Sequence, residues 1–204
     1  MIAVHYGARH PEAPAVFNLD GNGPGDASLY DGVDPVDFDA LTRRVAEPPV
    51  HLGAEGDAAW KERAMIELAA TYRGLGVPPE EVDAFAERNF LRLGVDRWRR
   101  HPSRPMYEGL TGDLRMFDLY GRVDTPLLIV LSGGRDWGPP SALPLMAAYR
   151  RGLLRAFAEL VTERPKVSLV EMPDSDHVGL TGRDAVKTAA VIDRFLQDRV
   201  AYTG

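Results

Sequence analysis

Residues 124–136, with the sequence DTPLLIVLSGGRD, decide the fold of this chain. Their apolar run at 127–131 is unbroken and lies between a proline and a Ser-Gly-Gly turn. A short apolar run bounded by turn residues is typical of a strand that is buried on both faces, as in a parallel sheet. Two further runs of this kind, 13–19 (APAVFNL) and 166–172 (KVSLVEM), predict two more strands of the same sheet.

Helical patterns separate and follow the predicted strands. The predicted helices of this part of the chain are 1–10, 141–163 and 183–200. Between the first two strands, residues 22–120 show helical patterns and no strand pattern. We therefore predict an α/β protein with a partial parallel sheet, in which 1–21 and 121–204 form the core and 22–120 is a helical insertion.

The 204-residue chain has a globular composition, with 45% apolar and 26% charged residues. Its net charge of −6 argues against a nucleic-acid partner or an anionic membrane surface. No apolar run approaches the roughly 20 residues of a membrane-spanning helix, and we expect a cytoplasmic protein. The absence of cysteine excludes disulfides, thiolate zinc sites and cysteine nucleophiles. The glycine-rich loop 20–25 lacks the ligand spacing of a calcium loop and the helix that follows a dinucleotide loop, so we predict no metal and no cofactor.

Charged side chains follow each predicted strand, where a parallel sheet binds its ligands. Asp20 follows the first strand, Asp136 the second, and the loop Asp174-Ser175-Asp176-His177 the third. A carboxylate after one strand and a histidine after the next can meet above the sheet, because parallel strands end at the same edge. The carboxylate would then bind one ring nitrogen of His177 and leave the other as a base. Asp176, directly beside His177, is expected to shape the loop.

This ordered set of segments resembles the carboxyl-terminal part of an α/β-hydrolase-fold enzyme with a helical cap. Residues 124–130 followed by Gly133-Gly134-Arg135-Asp136 resemble the penultimate strand and the acid of that family. The loop 174–177 resembles its histidine loop, and residues 1–12 (MIAVHYGARHPE) resemble the helix after its nucleophile elbow. The resemblance covers essentially the whole chain and is least specific in 22–120.

The resemblance implies a hydrolase that cleaves an ester, amide or related bond in a small molecule with a nucleophile–His–acid catalytic triad. His177 would be the general base and Asp136 the acid, with Asp20 in reserve because some relatives take the acid from the earlier strand. The nucleophile, a serine or an aspartate, is not recognisable here, because no serine of the chain lies in G-x-S-x-G. We therefore expect the elbow to precede Met1, and the truncated chain to be inactive by itself.

A second hypothesis is a non-catalytic homologue that binds a small ligand. In both cases the expected partner is a small molecule with an apolar part, and not a nucleic acid or a membrane. The strand at 13–19 would have an apolar edge without a neighbour, since only three strands of the parallel sheet are predicted. Self-association through this edge is therefore expected.

Overall fold

The structure is a computed structural model, and it describes residues 2–22, 25–34, 36–38, 53–74, 77, 79–102, 116–133, 143–177 and 179–199. The helices with described bounds are α1 (Ile2–Gly7), α2 (Ala58–Gly74), α3 (Val82–Glu87), α4 (Met116–Tyr120), α5 (Leu143–Glu163) and α6 (Ala185–Arg199). The strands are β1 (Val16–Leu19), β2 (Glu55–Gly56), β3 (Phe90–Gly94), β4 (Arg97–Arg100), β5 (Leu127–Ser132) and β6 (Val167–Met172). Among the described helices, none combines the length and the apolar character that crossing a membrane requires.

The three apolar runs form the predicted parallel sheet, in the order β1-β5-β6. In the centre of the sheet, Val130 of β5 is aligned with Leu19 of β1 and with Val170 of β6. The predicted α/β class and the parallel arrangement are therefore confirmed. Because the strands run in the same direction, their carboxyl ends lie at one edge of the sheet.

All of β5 is buried, which explains its unbroken apolar sequence. Successive side chains of a strand point to opposite faces of the sheet. The face that includes Ile129 packs in a cluster with Phe157 of α5, and the face that includes Val130 packs in a cluster with Phe195 of α6. Full burial of a Leu, Ile or Val side chain contributes about 1.5–3 kcal/mol, so helices on both faces stabilise this strand.

The insertion 22–120 contains strands as well as helices, which corrects the expectation of a purely helical segment. β2, β3 and β4 form an antiparallel sheet in the order β2-β4-β3, and the turn Val95-Asp96 joins β3 to β4. The sequence from Pro78 towards Trp98 predicts one helix, but within it a helix is observed only over Val82–Glu87. The apolar residues at 90–98 fit a helical stripe as well as a strand face, so the sequence pattern could not separate the two.

Tertiary contacts stabilise the strands of this small sheet. The ring of Phe90 contacts the ring of Trp60 edge-on, at 5.8 Å between centroids. The carboxylate of Glu55 on β2 accepts paired hydrogen bonds from the guanidinium groups of Arg97 and Arg99 on β4. Because these partners are distant in sequence, a local pattern does not reveal them.

The chain that follows β1 is held against α5. The guanidinium of Arg155 pairs with the carboxylate of Asp31 and donates to the carbonyl of Ser28 at 3.1 Å. Gly152 of α5 lies so close to this segment that an added Cβ would be 2.0 Å from the carbonyl oxygen of Leu29. The glycine therefore permits the backbone contact that fixes the segment after Asp20.

The backbone contact at Gly152 can be tested by substitution. Although alanine is favoured over glycine within a helix by about 1 kcal/mol, the overlap with the Leu29 carbonyl forces the backbones apart. We expect Gly152→Ala to lower the free energy of unfolding by about 1–3 kcal/mol in urea titrations. The control is Gly74→Ala, at the last residue of α2, where no atom lies within 4 Å of an added Cβ and where we expect no decrease in the free energy of unfolding. Equal effects of the two substitutions would contradict this account.

One edge of β1 has no strand neighbour among the described residues. The N–H groups of Val16 and Asp20 both donate to carbonyl groups of the β5 segment at 2.8 Å. Alternate residues of a parallel strand bond to the same neighbour, so the backbone groups of Phe17 and Leu19 face away from β5. An edge of this kind can pair with another extended chain.

We expect the purified chain to self-associate through this edge of β1. In sedimentation velocity experiments, the average mass should exceed 22.4 kDa at high concentration and fall towards it on dilution. The control is Val186→Ser, which removes an apolar side chain that is 84% exposed on α6 and should not change the association. A monodisperse monomer at every concentration would show that the edge is not used.

Candidate active site

Three side chains meet at the carboxyl edge of the parallel sheet: Asp20 directly after β1, Ser132 at the end of β5, and His177 in the loop after β6. Nδ1 of His177 lies 3.2 Å from Oδ2 of Asp20. The hydroxyl of Ser132 donates to the same carboxylate oxygen at 2.5 Å. The side chain of Asp20 is 16% exposed and that of His177 is 48% exposed. The carboxylate is therefore largely removed from water, while the imidazole remains accessible to a small molecule.

The carboxylate of Asp20 raises the pKa of His177 above its ordinary value of 6.5, mainly through their hydrogen bond. Partial burial of the ring opposes this effect, and the negative charges of Asp20 and Asp176 add to it. The pair therefore contributes a stabilisation that is fully present below about pH 6.5 and is lost as the pH rises through the folded-state pKa. The same interaction would stabilise the imidazolium that forms when a histidine acts as a general base.

Asp20 reaches His177 through an uncommon backbone conformation. Its φ is +56°, in the left-handed region that Asp and Asn enter more readily than other non-glycine residues. Its N–H still donates to the carbonyl of Val130 at 2.8 Å, so the residue remains bonded to β5 while the chain turns away. Such a conformation costs on the order of 1–3 kcal/mol and persists only where surrounding contacts hold it.

Gly133 brings the end of β5 into contact with the histidine loop. Its N–H donates to the carbonyl of Ser175 at 2.7 Å. A Cβ at this position would lie 1.7 Å from the carbonyl oxygen of Pro173. Any side chain here would therefore clash with the loop and displace it. The glycine that sequence analysis treated as a strand terminator is therefore also required for the position of His177.

Two buried carboxylates fix the other side of the histidine loop. Asp176 accepts from the N–H of Gly179 at 2.6 Å and from the guanidinium of Arg183 at 3.1 Å. Asp184 accepts from the hydroxyl of Ser175 at 2.8 Å and from Lys187 at 2.9 Å. The bond from Lys187, followed by that from Ser175, lowers the pKa of Asp184 to about 2. The contacts of Asp176 confirm that it shapes the loop.

The structure brings together two of the residues that sequence analysis selected, His177 and Asp20. Asp136, the first choice for the acid, lies outside the described residues. The contact of Ser132 with Asp20 was not predicted from the sequence. A signal was available, because Ser132 ends β5 and Asp20 directly follows β1, and parallel neighbours end at the same edge of the sheet.

The described residues do not present a metal centre. Within the described ranges, no group of three or more His, Asp or Glu side chains converges in a manner that could hold an ion. The chemistry that this site offers is that of a histidine and a carboxylate acting together: proton uptake by the ring and stabilisation of the resulting charge.

The pairing of His177 with Asp20 is testable by NMR titration of the histidine ring. We expect Asp20→Asn to lower the pKa of His177, because the neutral amide removes the charge that favours the imidazolium. Asparagine is nearly isosteric and tolerates the left-handed conformation, so the fold should be kept. The matched control is Glu12→Gln, which removes the carboxylate that lies 2.8 Å from Nδ1 of His10. An unchanged pKa of His177 in Asp20→Asn would contradict the pairing.

Comparison with known proteins identifies the fold. Neither a protein family nor a curated protein sequence matches this chain. Its structure is similar to that of E-2-(acetamidomethylene)succinate hydrolase, with a TM-score of 0.53 and 20% identity over 93% of this chain and 60% of that one. A thioesterase domain from the curacin biosynthetic pathway has a TM-score of 0.41 and 11% identity over 95% of this chain and 63% of the domain.

The chain therefore spans less than two thirds of the length of either solved protein. The hydrolase with the TM-score of 0.53 is an α/β-hydrolase-fold protein, and its similarity extends over nearly the whole chain. The parallel sheet β1-β5-β6 and the helices that cover it agree with that similarity. The fold of this chain is the α/β-hydrolase fold.

Proposed function

We propose that the chain carries the base and the acid of an α/β-hydrolase that cleaves an ester, amide or related bond in a small molecule. His177 is the general base, and Asp20 is the acid that orients it. The observation that carries the proposal is the 3.2 Å contact between Nδ1 of His177 and Oδ2 of Asp20 at the carboxyl edge of the sheet. This edge is where α/β proteins bind their ligands.

The geometry supports separate roles for the two ring nitrogens of His177. Asp20 engages Nδ1, which leaves Nε2 to take the proton from a nucleophile and then return it to the leaving group. Ser132 donates to the carboxylate oxygen that faces the ring, and this second bond helps to keep the carboxylate in place. The half-exposed ring gives a substrate access to the base.

The proposal places the nucleophile outside the printed sequence. No serine of the chain lies in G-x-S-x-G, and a nucleophilic hydroxyl has to donate to the base. The hydroxyl of Ser132 donates to Asp20 instead, which argues against Ser132 in that role. We infer that a longer gene product supplies the nucleophile and the oxyanion donors before Met1, and that the 204-residue chain is inactive alone.

The proposal assigns the substrate pocket to the insertion 22–120. The chain leaves the sheet at Asp20, on the edge that carries the pair, and the segment 25–34 then packs along α5. Tyr30 of this segment stacks on Tyr149 of α5 with ring centroids 5.1 Å apart. Tyr30 is buried in the core on this face of the sheet, so the stacking anchors the start of the insertion near the edge that carries the pair.

Hydrolysis of p-nitrophenyl acetate tests this function. The 204-residue chain should react no faster than its own His177→Asn variant. A gene product extended to an in-frame elbow should hydrolyse the ester and lose about 10³-fold or more in kcat with His177→Asn, since removal of the base leaves only binding and oxyanion stabilisation. Activity of the 204-residue chain that disappears in His177→Asn would overturn the inference of an external nucleophile. An in-frame stop codon directly before Met1 would also overturn the inference that the nucleophile lies upstream of this sequence.

The same extended enzyme distinguishes the two acids. We expect Asp20→Asn to lower kcat by about 10³-fold or more, because the ring loses the group that orients it and stabilises its charge. Asp136→Asn is the matched variant and should have a much smaller effect. The opposite result would make Asp136 the acid and would reduce the contact of Asp20 with His177 to a structural one.

A further inference from the structure

β1 carries a buried amide in an otherwise apolar strand. Asn18 is 3% exposed and lies two residues before Asp20. Burial of an amide is unfavourable unless protein hydrogen bonds replace those lost to water. The hydrogen-bond partners of Asn18 therefore indicate its structural role. These contacts extend to the turn that presents Asp20 and to the helix α4.

Asn18, Tyr120 and Asn22 form a closed hydrogen-bond network. Nδ2 of Asn18 donates to Oδ1 of Asn22 at 2.9 Å and to the hydroxyl of Tyr120. The hydroxyl of Tyr120 donates in turn to Oδ1 of Asn22 at 2.8 Å. Tyr120 is fully buried, and its burial raises the pKa of the phenol well above the ordinary value. The hydroxyl therefore remains protonated and available as a donor.

The network encloses the turn at Asp20. Oδ1 of Asn18 accepts from the N–H of Gly21 at 3.0 Å, across the residue with φ of +56°. On the other side, the N–H of Asp20 is bonded to Val130. The left-handed conformation of Asp20 is thus held by a hydrogen bond to β5 on one side and a hydrogen bond to Asn18 on the other. Tyr120 and Asn22 in turn orient the side-chain amide of Asn18.

We propose that Asn18, Tyr120 and Asn22 are positioning residues that hold the backbone turn of Asp20 and thereby aim its carboxylate at His177. They act through Asp20 and touch neither the imidazole nor a reacting atom in the described contacts. The proposal deepens the function proposed above and rests on it. The orientation of the Asp20 carboxylate affects catalysis only if Asp20 is the acid that orients His177.

Packing and positioning by Tyr120 can be separated. Its ring contacts Phe117 and Phe157 at centroid distances of 5.8 and 5.2 Å, and a phenylalanine would retain these contacts. Tyr120→Phe therefore removes the hydroxyl alone. If Tyr120 acts only in packing, Tyr120→Phe should leave the pKa of His177 unchanged. If its hydroxyl positions Asp20, the substitution should change that pKa.

The test is the pKa of the His177 ring, measured by NMR titration in the folded 204-residue chain. We expect Tyr120→Phe to lower this pKa towards 6.5 by at least half of the decrease produced by Asp20→Asn. Asn22→Ala, at the less buried end of the network, should shift it in the same direction. The matched control is Tyr72→Phe, which removes the hydroxyl that accepts from Asn89 at 2.9 Å and should leave the pKa of His177 unchanged.

The outcomes separate this proposal from the one on which it rests. If Asp20→Asn lowers the pKa of His177 while Tyr120→Phe and Asn22→Ala remain folded and do not, the positioning network is refuted and the His177–Asp20 pair stands. If Asp20→Asn has no effect, the pair itself is refuted and the network with it. If both network variants unfold while Tyr72→Phe folds, the residues are structural and the proposal is also overturned.

Discussion

Parallel pairing of β5 with β1 on one side and β6 on the other is the constraint on which the site depends. Ser132 lies 112 positions from Asp20 along the chain, and His177 lies 157 positions from it. These residues meet because each one ends or follows a strand, and the strands run in the same direction. The apolar side chains of β5 make the pairing stable, since helices cover both faces of this strand.

The carboxyl edge of the sheet concentrates polar groups at the end of an apolar core. Buried polar groups are tolerated only where each has partners, and Asp176 and Asp184 satisfy this condition within the histidine loop. Gly133 allows the loop to approach β5 closely enough for a backbone hydrogen bond. The result is a loop whose backbone is fixed by partners on both sides of His177, while the imidazole itself remains half exposed.

The insertion shows where a local pattern stops being informative. The sequence of residues 57–74 by itself predicts a helix that ends on a glycine, and α2 is observed over Ala58–Gly74. The hairpin of β3 and β4 was not recognisable, because β4 (RWRR) has a single apolar residue. Two of its arginines, Arg97 and Arg99, bind Glu55, which lies more than 40 residues earlier in the chain. The stabilising partner of such a strand is visible only in three dimensions.

The sequence by itself determined the three strands of the parallel sheet, the helices around them, and the presence of His177 and two candidate acids after those strands. Each of these features depends on a short run of apolar or turn residues, so it can be read locally. Only the tertiary structure decided that Asp20 lies against His177, that Ser132 shares its carboxylate, and that Asn18 brackets its turn. Those contacts depend on strand register, on a left-handed φ and on close backbone approaches, and none of these leaves a periodic signal in the sequence.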